Sequence, residues 1–270
     1  DNDWFHFLAE LQPDEVNFWR PGGGGFGAVD KYEPFLFKLH SPYDYIVGGG
    51  FFVRATQLPL SLAWDVFEEK NGTKTYNNLY QKIKGYRESL GTMTPNPMIG
   101  CIVLTQPFFF PEKDWIPIPE NWSPNIVQGK SYSTENPIGA QLWDQVKIHL
   151  QNFSLEVSKK AVREKPRYGQ ETSYHPRLGQ GAFRVEVLEA YQRKCAMTGE
   201  KALPVLQASH IKPYSKSGPH DIQNGLLLRA DLHILYDQGY LTVTKEHHIE
   251  ASHQMKDDFD DGEEYLKLHG

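Results

Sequence analysis

The stretch that decides the fold lies near the C-terminal end, at residues 195–239, and reads CAMTGEKALPVLQASHIKPYSKSGPHDIQNGLLLRADLHILYDQG. An apolar run at 205–209, partly β-branched and bounded by Pro204 and Pro213, predicts a short strand. A polar loop follows, and a second apolar run at 226–228 predicts another strand. The rest of the stretch has the spacing of one short helix. We therefore expect the order strand, loop, strand, helix.

Three polar residues stand on this pattern at fixed intervals. His210 closes the first predicted strand, Asn224 follows fourteen positions later, and His233 follows nine positions after that. The helix that carries His233 is predicted to start with Asp231 as its N-cap and to end with Gly239 as its C′ residue. A single histidine among apolar residues is usually structural, and Asn-Gly is usually only a turn. Their joint order on these elements indicates a site.

The pattern resembles the HNH nuclease family, whose fold is the ββα-metal motif. The resemblance rests on three segments, which read ASHIKP at 208–213, NGLLLR at 224–229 and DLHILYDQG at 231–239. It implies that His210 is the general base of phosphodiester hydrolysis, that Asn224 holds the His210 loop, and that His233 is a metal ligand. An imidazole suits the base because its pKa lies near 6.5, and a divalent cation can stabilise the departing oxygen as a Lewis acid.

The second metal ligand is less defined. Many relatives carry an Asp before the first histidine, but Ser209 stands there in this chain. Asp237 lies four residues after His233, on the same helix face, so both can reach one ion. Pairing with Arg229 or capping of a loop remains the alternative for Asp237. The expected ion is Mg²⁺ or Mn²⁺, with Ni²⁺, Co²⁺ or Zn²⁺ as further options.

The N-terminal half has many short apolar runs, bent at glycines and joined by one or two helical segments, which predicts a small β-barrel with helices. Its order resembles the PUA-like superfamily, which includes the EVE, ASCH and SRA domains, through the segments NFW at 17–19, FLFK at 35–38 and IVGGGF at 46–51. Several members hold a modified or flipped base in an aromatic pocket. The resemblance makes Trp19 and Trp64 candidate base-stacking residues, although packing in the core is the common role of such rings.

Between the two halves lies a polar, basic segment. Lys159, Lys160 and Arg163 are its candidate phosphate contacts, since lysine and arginine gain affinity for DNA through counterion release. A solvated hinge is the alternative. The fold class expected is α+β, divided into a PUA-like reader at 1–152, a basic linker at 153–180 and an HNH endonuclease domain at 181–270.

Composition sets the remaining limits. The 270 residues, 39% of them hydrophobic, are enough for two ordinary domains with cores of their own. No apolar run reaches the ~20 residues of a membrane span, and no signal peptide is seen, so a cytoplasmic location is expected. The net charge of −6 does not exclude a DNA enzyme, because local patches decide nucleic-acid binding. With two cysteines, Cys101 and Cys195, neither a structural zinc nor a disulfide is expected.

A reader followed by an HNH domain is the arrangement of modification-dependent restriction endonucleases. The sequence thus predicts a metal-dependent endonuclease that recognises modified cytosine in double-stranded DNA. A homodimer is an open option for its assembly. Three alternatives stay open. The N-terminal half could sense another feature of nucleic acid, or a small ligand or protein that gates the nuclease, or the whole chain could be a non-catalytic DNA-binding module.

Overall fold

The computed structural model describes residues 1–22, 26–27, 29–88, 91–123, 126, 129–160, 178–213, 218–259 and 262–270. The chain divides into two compact units, Asp1–Arg177 and Leu178–Gly270. Both combine helices with antiparallel strands, so the protein has the mixed α+β character that its sequence predicts. None of the described helices is long and apolar enough to cross a membrane.

The described part of the first unit is built from five strands and four helices. The strands are β1 (Glu15–Arg20), β2 (Pro34–Lys38), β3 (Tyr45–Pro59), β4 (Met98–Phe109) and β5 (Ile116–Pro117). The helices are α1 (Asn2–Leu11), α2 (Leu60–Phe67), α3 (Tyr76–Glu88) and α4 (Pro137–Lys160), with 3₁₀ turns at Glu68–Asn71 and Glu112–Asp114. These elements confirm the strands and helices predicted from the apolar spacing, with two changes in the sheet.

The first change concerns the glycine-rich strand. The sequence predicts short runs bent at glycines, but the glycines at 48–50 lie within one continuous strand, β3. A Cβ on Gly48 would lie 2.2 Å from the carbonyl oxygen of Phe108, and one on Gly49 would lie 2.6 Å from Cζ of the same residue. These glycines therefore allow β4 to approach β3 closely where Gly48 and Gly49 pair with Phe109 and Phe108.

The second change concerns the expected β-barrel, which the described residues do not form. The strand order is β1-β4-β3-β2, with β5 also on β3, and no ladder of the described residues joins β1 to β2. A barrel needs its two edge strands to pair. Here Trp4 of α1 contacts Phe18 of β1 and Phe37 of β2, each with ring centroids 5.2 Å apart. Aromatic packing, rather than backbone hydrogen bonding, connects the two edges of this open sheet.

Helix α4 covers another part of the same sheet. Its Leu142 and Val146 are buried against Ile46 of β3, Phe108 of β4 and Ile116 of β5. Burying one such aliphatic side chain contributes roughly 1.5–3 kcal/mol. This helix–sheet core fixes β5 and the start of β3.

A buried polar network holds β1 to the turn that follows α2. Asn71 is fully buried, and its side-chain Nδ2 donates to the carbonyl oxygens of Ala63 and Glu68. Its Oδ1 accepts a hydrogen bond of 2.9 Å from Nδ2 of Asn17, and its backbone oxygen accepts one of 2.9 Å from the indole of Trp19. Buried amides are stabilising only when satisfied in this way. The network therefore positions Trp19 inside the unit.

The second unit contains the stretch on which the sequence analysis centred. Its strands are β6 (Leu206–His210), β7 (Gly225–Arg229), β8 (Leu241–Val243) and β9 (Ile249–Ala251). Its helices are α5 (Gln180–Ala190), α6 (Ala230–Asp237), α7 (Gln254–Phe259) and α8 (Glu263–Leu266). The predicted order of strand, loop, strand and helix is confirmed by β6, β7 and α6.

Strands β6 and β7 form an antiparallel hairpin in which His210 lies opposite Gly225. Helix α5 packs on this hairpin at the same position. A Cβ on Gly225 would lie 2.3 Å from Cγ2 of Val187 and 3.2 Å from Cζ of Phe183. The glycine thus lets α5 lie directly on the strand end that carries His210.

The start of α6 differs from the expectation that Asp231 is its N-cap. Arg229 occupies the N-cap position, and Asp231 lies within the first turn. The reason is an ion pair, in which Nε and Nη2 of Arg229 donate to the two carboxylate oxygens of Asp231 at 2.7 and 2.6 Å. Because the carboxylate is held by the guanidinium, it is not used as a cap. At the other end Gly239 has the left-handed φ of 81° expected of a C′ residue.

Cys195 begins the turn that precedes the hairpin. Its Sγ accepts a hydrogen bond of 3.4 Å from the backbone N–H of Arg229, and Ala196 N–H donates to the carbonyl of Leu227 at 2.7 Å. Burial acts to raise the pKa of the Cys195 thiol, but hydrogen bonds from Thr198, Met197 and Arg229 outweigh it and lower the pKa. Hydrogen bonds therefore join this turn to β7.

Candidate active site

His210 lies at the end of β6, between two aromatic neighbours. Its ring stacks on the buried Phe183 of α5, with centroids 4.1 Å apart and planes 11° from parallel. Its Nε2 lies 3.0 Å from Nδ1 of His220. Burial is the main cause that lowers the pKa of His210, and the charges of His220 and His233 lower it further, against an opposing effect of Asp237. The lowered pKa favours the neutral form that a general base requires.

Asn224 ties together the two ends of the loop between β6 and β7. Its Oδ1 accepts from the backbone N–H of Lys212 at 2.8 Å, and its Nδ2 donates to the carbonyls of Lys212 and Pro219 at 3.0 and 2.9 Å. The backbone oxygen of Asn224 also accepts from Ile211 N–H at 2.8 Å. All four bonds act on residues beside His210 or at the far end of the loop. The geometry is the one expected of a residue that holds the His210 loop.

His233 of α6 has its two ring nitrogens in different environments. Nδ1 lies 2.7 Å from Oε1 of Gln207 on β6, and Nε2 lies 3.3 Å from Oδ2 of Asp237. An amide oxygen can only accept, so Nδ1 carries the proton and the neutral ring has its lone pair on Nε2. That lone pair then faces a carboxylate oxygen. The two donor atoms are therefore directed to one place.

The donor chemistry of this pair fits a divalent metal. Within the described ranges, no three His, Cys, Asp or Glu side chains converge as a metal-binding group. His233 and Asp237 supply one nitrogen and one carboxylate. A carboxylate suits Mg²⁺ or Mn²⁺, which keep several waters, and an imidazole suits ions such as Zn²⁺ or Ni²⁺. The N–H···O contact from His233 to Gln207 is the outer bond that typically orients a metal-bound histidine.

The positions of Ser209 and Arg229 help to decide which side chains accompany His233 as metal ligands. Ser209 is fully buried, and its Oγ has no hydrogen-bond partner among the described residues, so it turns into the interior. Arg229 pairs with Asp231 rather than with Asp237, and Tyr265 donates to the same carboxylate at 3.2 Å. The alternative pairing of Asp237 with Arg229 is therefore wrong. Asp237, with 58% of its side chain exposed, is left beside His233.

Sequence reasoning missed three side chains of this site, namely Phe183, Gln207 and His220. Gln207 and His220 lie within the decisive stretch, three residues before and ten residues after His210. A histidine inside the loop between two site residues was an available signal for His220. Nothing in the spacing pointed to Phe183, because its contact with His210 depends on how α5 packs on the hairpin.

The predicted substrate-binding residues are two tryptophans of the first unit and three basic residues of the linker. Trp19 is 8% exposed with its indole N–H bonded to Asn71, an interior position that favours a packing role over base stacking. Trp64 of α2 is half-buried and meets Tyr76 edge to face, with centroids 6.4 Å apart. Arg163 lies outside the described residues, as do the side chains of Lys159 and Lys160 at the end of α4.

A hairpin followed by a helix, with histidines on both and a loop fixed by an asparagine, is the arrangement that the sequence analysis expects of a ββα motif. Residues 195–244 match the HNH endonuclease family. The match covers the hairpin, α6 and β8, and therefore every residue of the predicted catalytic set. No curated protein matches the chain. The second unit thus contains an HNH endonuclease domain, and DNA is the substrate that such a domain implies.

Proposed function

We propose that the protein is a metal-dependent DNA endonuclease in which His210 is the general base. The observation that carries this proposal is the position of His210 at the tip of β6, where its ring stacks on Phe183 and Asn224 fixes its loop. The lowered pKa of His210 supports the same role. Its imidazole takes a proton from the water that attacks the phosphorus. Hydrolysis needs both this base and compensation for charge on the leaving oxygen.

His233 and Asp237 are the residues that would hold the divalent ion. When bound, the ion supplies Lewis-acid stabilisation of the phosphate and of the leaving oxygen. Gln207 keeps the proton of His233 on Nδ1, so that Nε2 is directed to the same place as Asp237. The two ligands belong to one face of α6, and their separation is therefore set by the helix itself.

The proposal is tested with His210→Ala in a duplex cleavage assay with Mg²⁺ or Mn²⁺, and with chelator as the blank. We expect cleavage to fall by about 10²–10⁴-fold, the usual contribution of a general base, while the Kd for uncleaved duplex stays unchanged. His253→Ala, at an exposed histidine of the same unit, is the matched control and should cleave normally. Undiminished cleavage by His210→Ala, or cleavage in the presence of chelator, would contradict the proposal.

For the first unit, Asp1–Arg177, we propose a reader of modified cytosine related to the PUA-like domains, followed by a basic linker. An HNH site grips backbone and shape, so sequence or modification must be recognised elsewhere in the chain. Two half-buried tryptophans support the proposal. Trp64 lies against Tyr76, and Trp122 stacks near Tyr132 with a ring separation of 6.5 Å and Lys38 above it. Aromatic faces of this kind offset the cost of a flipped base by ~1–3 kcal/mol.

Lys159, Lys160 and Arg163 complete the proposal as contacts to the DNA backbone, between the reader and the nuclease. A homodimer is proposed on the chemistry alone, since cutting both strands of a duplex takes two nuclease sites. Together these features describe a modification-dependent restriction endonuclease.

A further inference from the structure

The loop between β6 and β7 places a second imidazole, that of His220, in contact with His210, the predicted general base. Nδ1 of His220 lies 3.0 Å from Nε2 of His210, with ring centroids 4.9 Å apart and planes at 65°. Both rings also contact Phe183, which is 1% exposed. A hydrogen bond between two imidazole nitrogens needs one N–H and one lone pair. The contact therefore selects a tautomer for each ring.

The arrangement is fixed from both sides by one side chain. The amide of Asn224 bonds to Lys212, two residues after His210, and to Pro219, the residue before His220. A clamp that acts beside each histidine holds the two rings in register. Because Phe183 stacks on one of them and contacts the other at a tilt, rotation of either ring is restricted as well.

We propose that His220 is the positioning residue of the base, accepting the Nε2–H of His210 at its own Nδ1. This inference rests on the proposed function of His210. With its proton on Nε2, neutral His210 has its lone pair on Nδ1, where it can take a proton from water. If His220 were the donor instead, the only proton of neutral His210 would sit on Nδ1, and no lone pair would remain for the water.

The proton balance of the step is simple. Water gives one proton to Nδ1 of His210 as its oxygen forms the bond to phosphorus, and His210 becomes an imidazolium. The bond from phosphorus to the leaving oxygen breaks in the same displacement, and the leaving oxygen takes a proton from solvent. Its Nε2–H stays hydrogen-bonded to Nδ1 of His220, which spreads the new charge over a charge-assisted bond. The proton on Nδ1 leaves to solvent after the reaction, and both rings return to their starting form.

A pair of substitutions tests the proposal by kinetics. His220→Ala removes the acceptor, and we expect kcat to fall by about 10–100-fold, the usual loss for a partner that orients a site residue, with KM unchanged. His220→Asn keeps an amide oxygen near the position of Nδ1 and should recover most of the rate. His253→Ala serves again as the control. A fall in both variants together with lower thermal stability, or no fall in either, would overturn the proposal.

The tautomer itself gives a second readout that does not depend on cleavage. Nitrogen-15 NMR of the full chain without metal should show His210 protonated at Nε2 in the native protein and a mixture of tautomers in His220→Ala. Native His210 protonated at Nδ1 would overturn the proposal. If the native protein cuts no duplex, the proposed function fails, but the NMR result still decides whether His220 fixes the His210 tautomer.

Discussion

At the scale of single residues, each histidine of this site has a neighbouring side chain that determines which of its ring nitrogens carries the proton. Gln207 decides it for His233, and His220 is placed to decide it for His210. Stacking on Phe183 then fixes the ring plane of His210. Gln207 is exposed, so loss of its contact should appear in chemistry before it appears in folding.

The titration of His210 is a direct test at this scale. Burial, then the charges of His220 and His233, lower its pKa, so we expect an NMR midpoint below the usual ~6.5 for the chain without metal. Asp237→Asn should lower the midpoint further, because Asp237 is the charge that raises the pKa.

The sign of the linked stability follows from the same shift. Since the folded pKa lies below the unfolded one, the unfolded chain binds the proton more readily. Stability from His210 is complete above about pH 6.5 and is lost as the pH falls through the lowered pKa. The acid limb of kcat/KM should shift in the same direction. A midpoint at or above the usual value would show that the ring is not held as the structure indicates.

Gln207 is tested through metal affinity. Gln207→Leu removes the acceptor for Nδ1–H of His233, so the ring loses its fixed tautomer and Mn²⁺ binding should weaken about 10–100-fold by calorimetry. Gln207→Glu keeps an acceptor and should preserve binding. Gln223→Leu, at another exposed glutamine of the unit, should leave it unchanged. An equal Kd in Gln207→Leu and the native chain would remove Gln207 from the site.

At the scale of elements, the site depends on how closely α5 approaches the β6–β7 hairpin. Gly225 has an ordinary extended backbone, with φ −112°, which any residue can adopt. Glycine is therefore required here because it has no Cβ. It lies opposite His210 and beneath Phe183 and Val187, both almost fully buried. One methyl group at this position would therefore disturb the packing of α5, of the β6–β7 hairpin and of His210 together.

Gly225→Ala should destabilise the protein by roughly 1–3 kcal/mol, the usual cost of overpacking, because its Cβ would lie 2.3 Å from Cγ2 of Val187. Cleavage should also fall, since Phe183 must shift against His210. Gly85→Ala in α3 is the control, as that position has open space and alanine favours a helix. Chemical unfolding measures the first effect and the cleavage rate the second. Native stability in Gly225→Ala would contradict the packing described.

At the scale of the whole molecule, the chain joins an aromatic-rich unit to a nuclease unit. The second unit contains the HNH match and the full predicted catalytic set. The first unit contains the open sheet, its aromatic edges and the half-buried tryptophans. The division of labour proposed above assigns recognition to the first unit and hydrolysis to the second.

Digestion of duplexes that carry cytosine, 5-methylcytosine or 5-hydroxymethylcytosine tests this division. We expect at least one modified duplex to be cut ~10-fold faster or more than the plain duplex, because stacking of a flipped base adds ~1–3 kcal/mol. We expect one of the two variants, Trp64→Ala or Trp122→Ala, to abolish the preference without changing the slow cutting of plain DNA. The other variant, which keeps the preference, then serves as the control. Equal rates on all three duplexes would leave the nuclease standing and refute the reader.

The sequence by itself determined what depends on short-range pattern. The order of β6, β7 and α6 follows from local apolar spacing and turn residues, and it was enough to select His210, Asn224 and His233. The position of Gly239 likewise marked the end of the helix that the structure contains as α6. Local preferences decide such features because the interactions involved lie within a few residues.

Only the tertiary structure decided what depends on contacts between distant segments. Trp4 packs against both edge strands of the sheet, and Trp19 is held in the interior, where the backbone oxygen of Asn71 accepts from its indole. Phe183 reaches His210 across 27 positions of sequence, and Gln207 reaches His233 across 26. These pairings are set by the packing of whole elements. The residues next to each partner in the sequence therefore do not predict them.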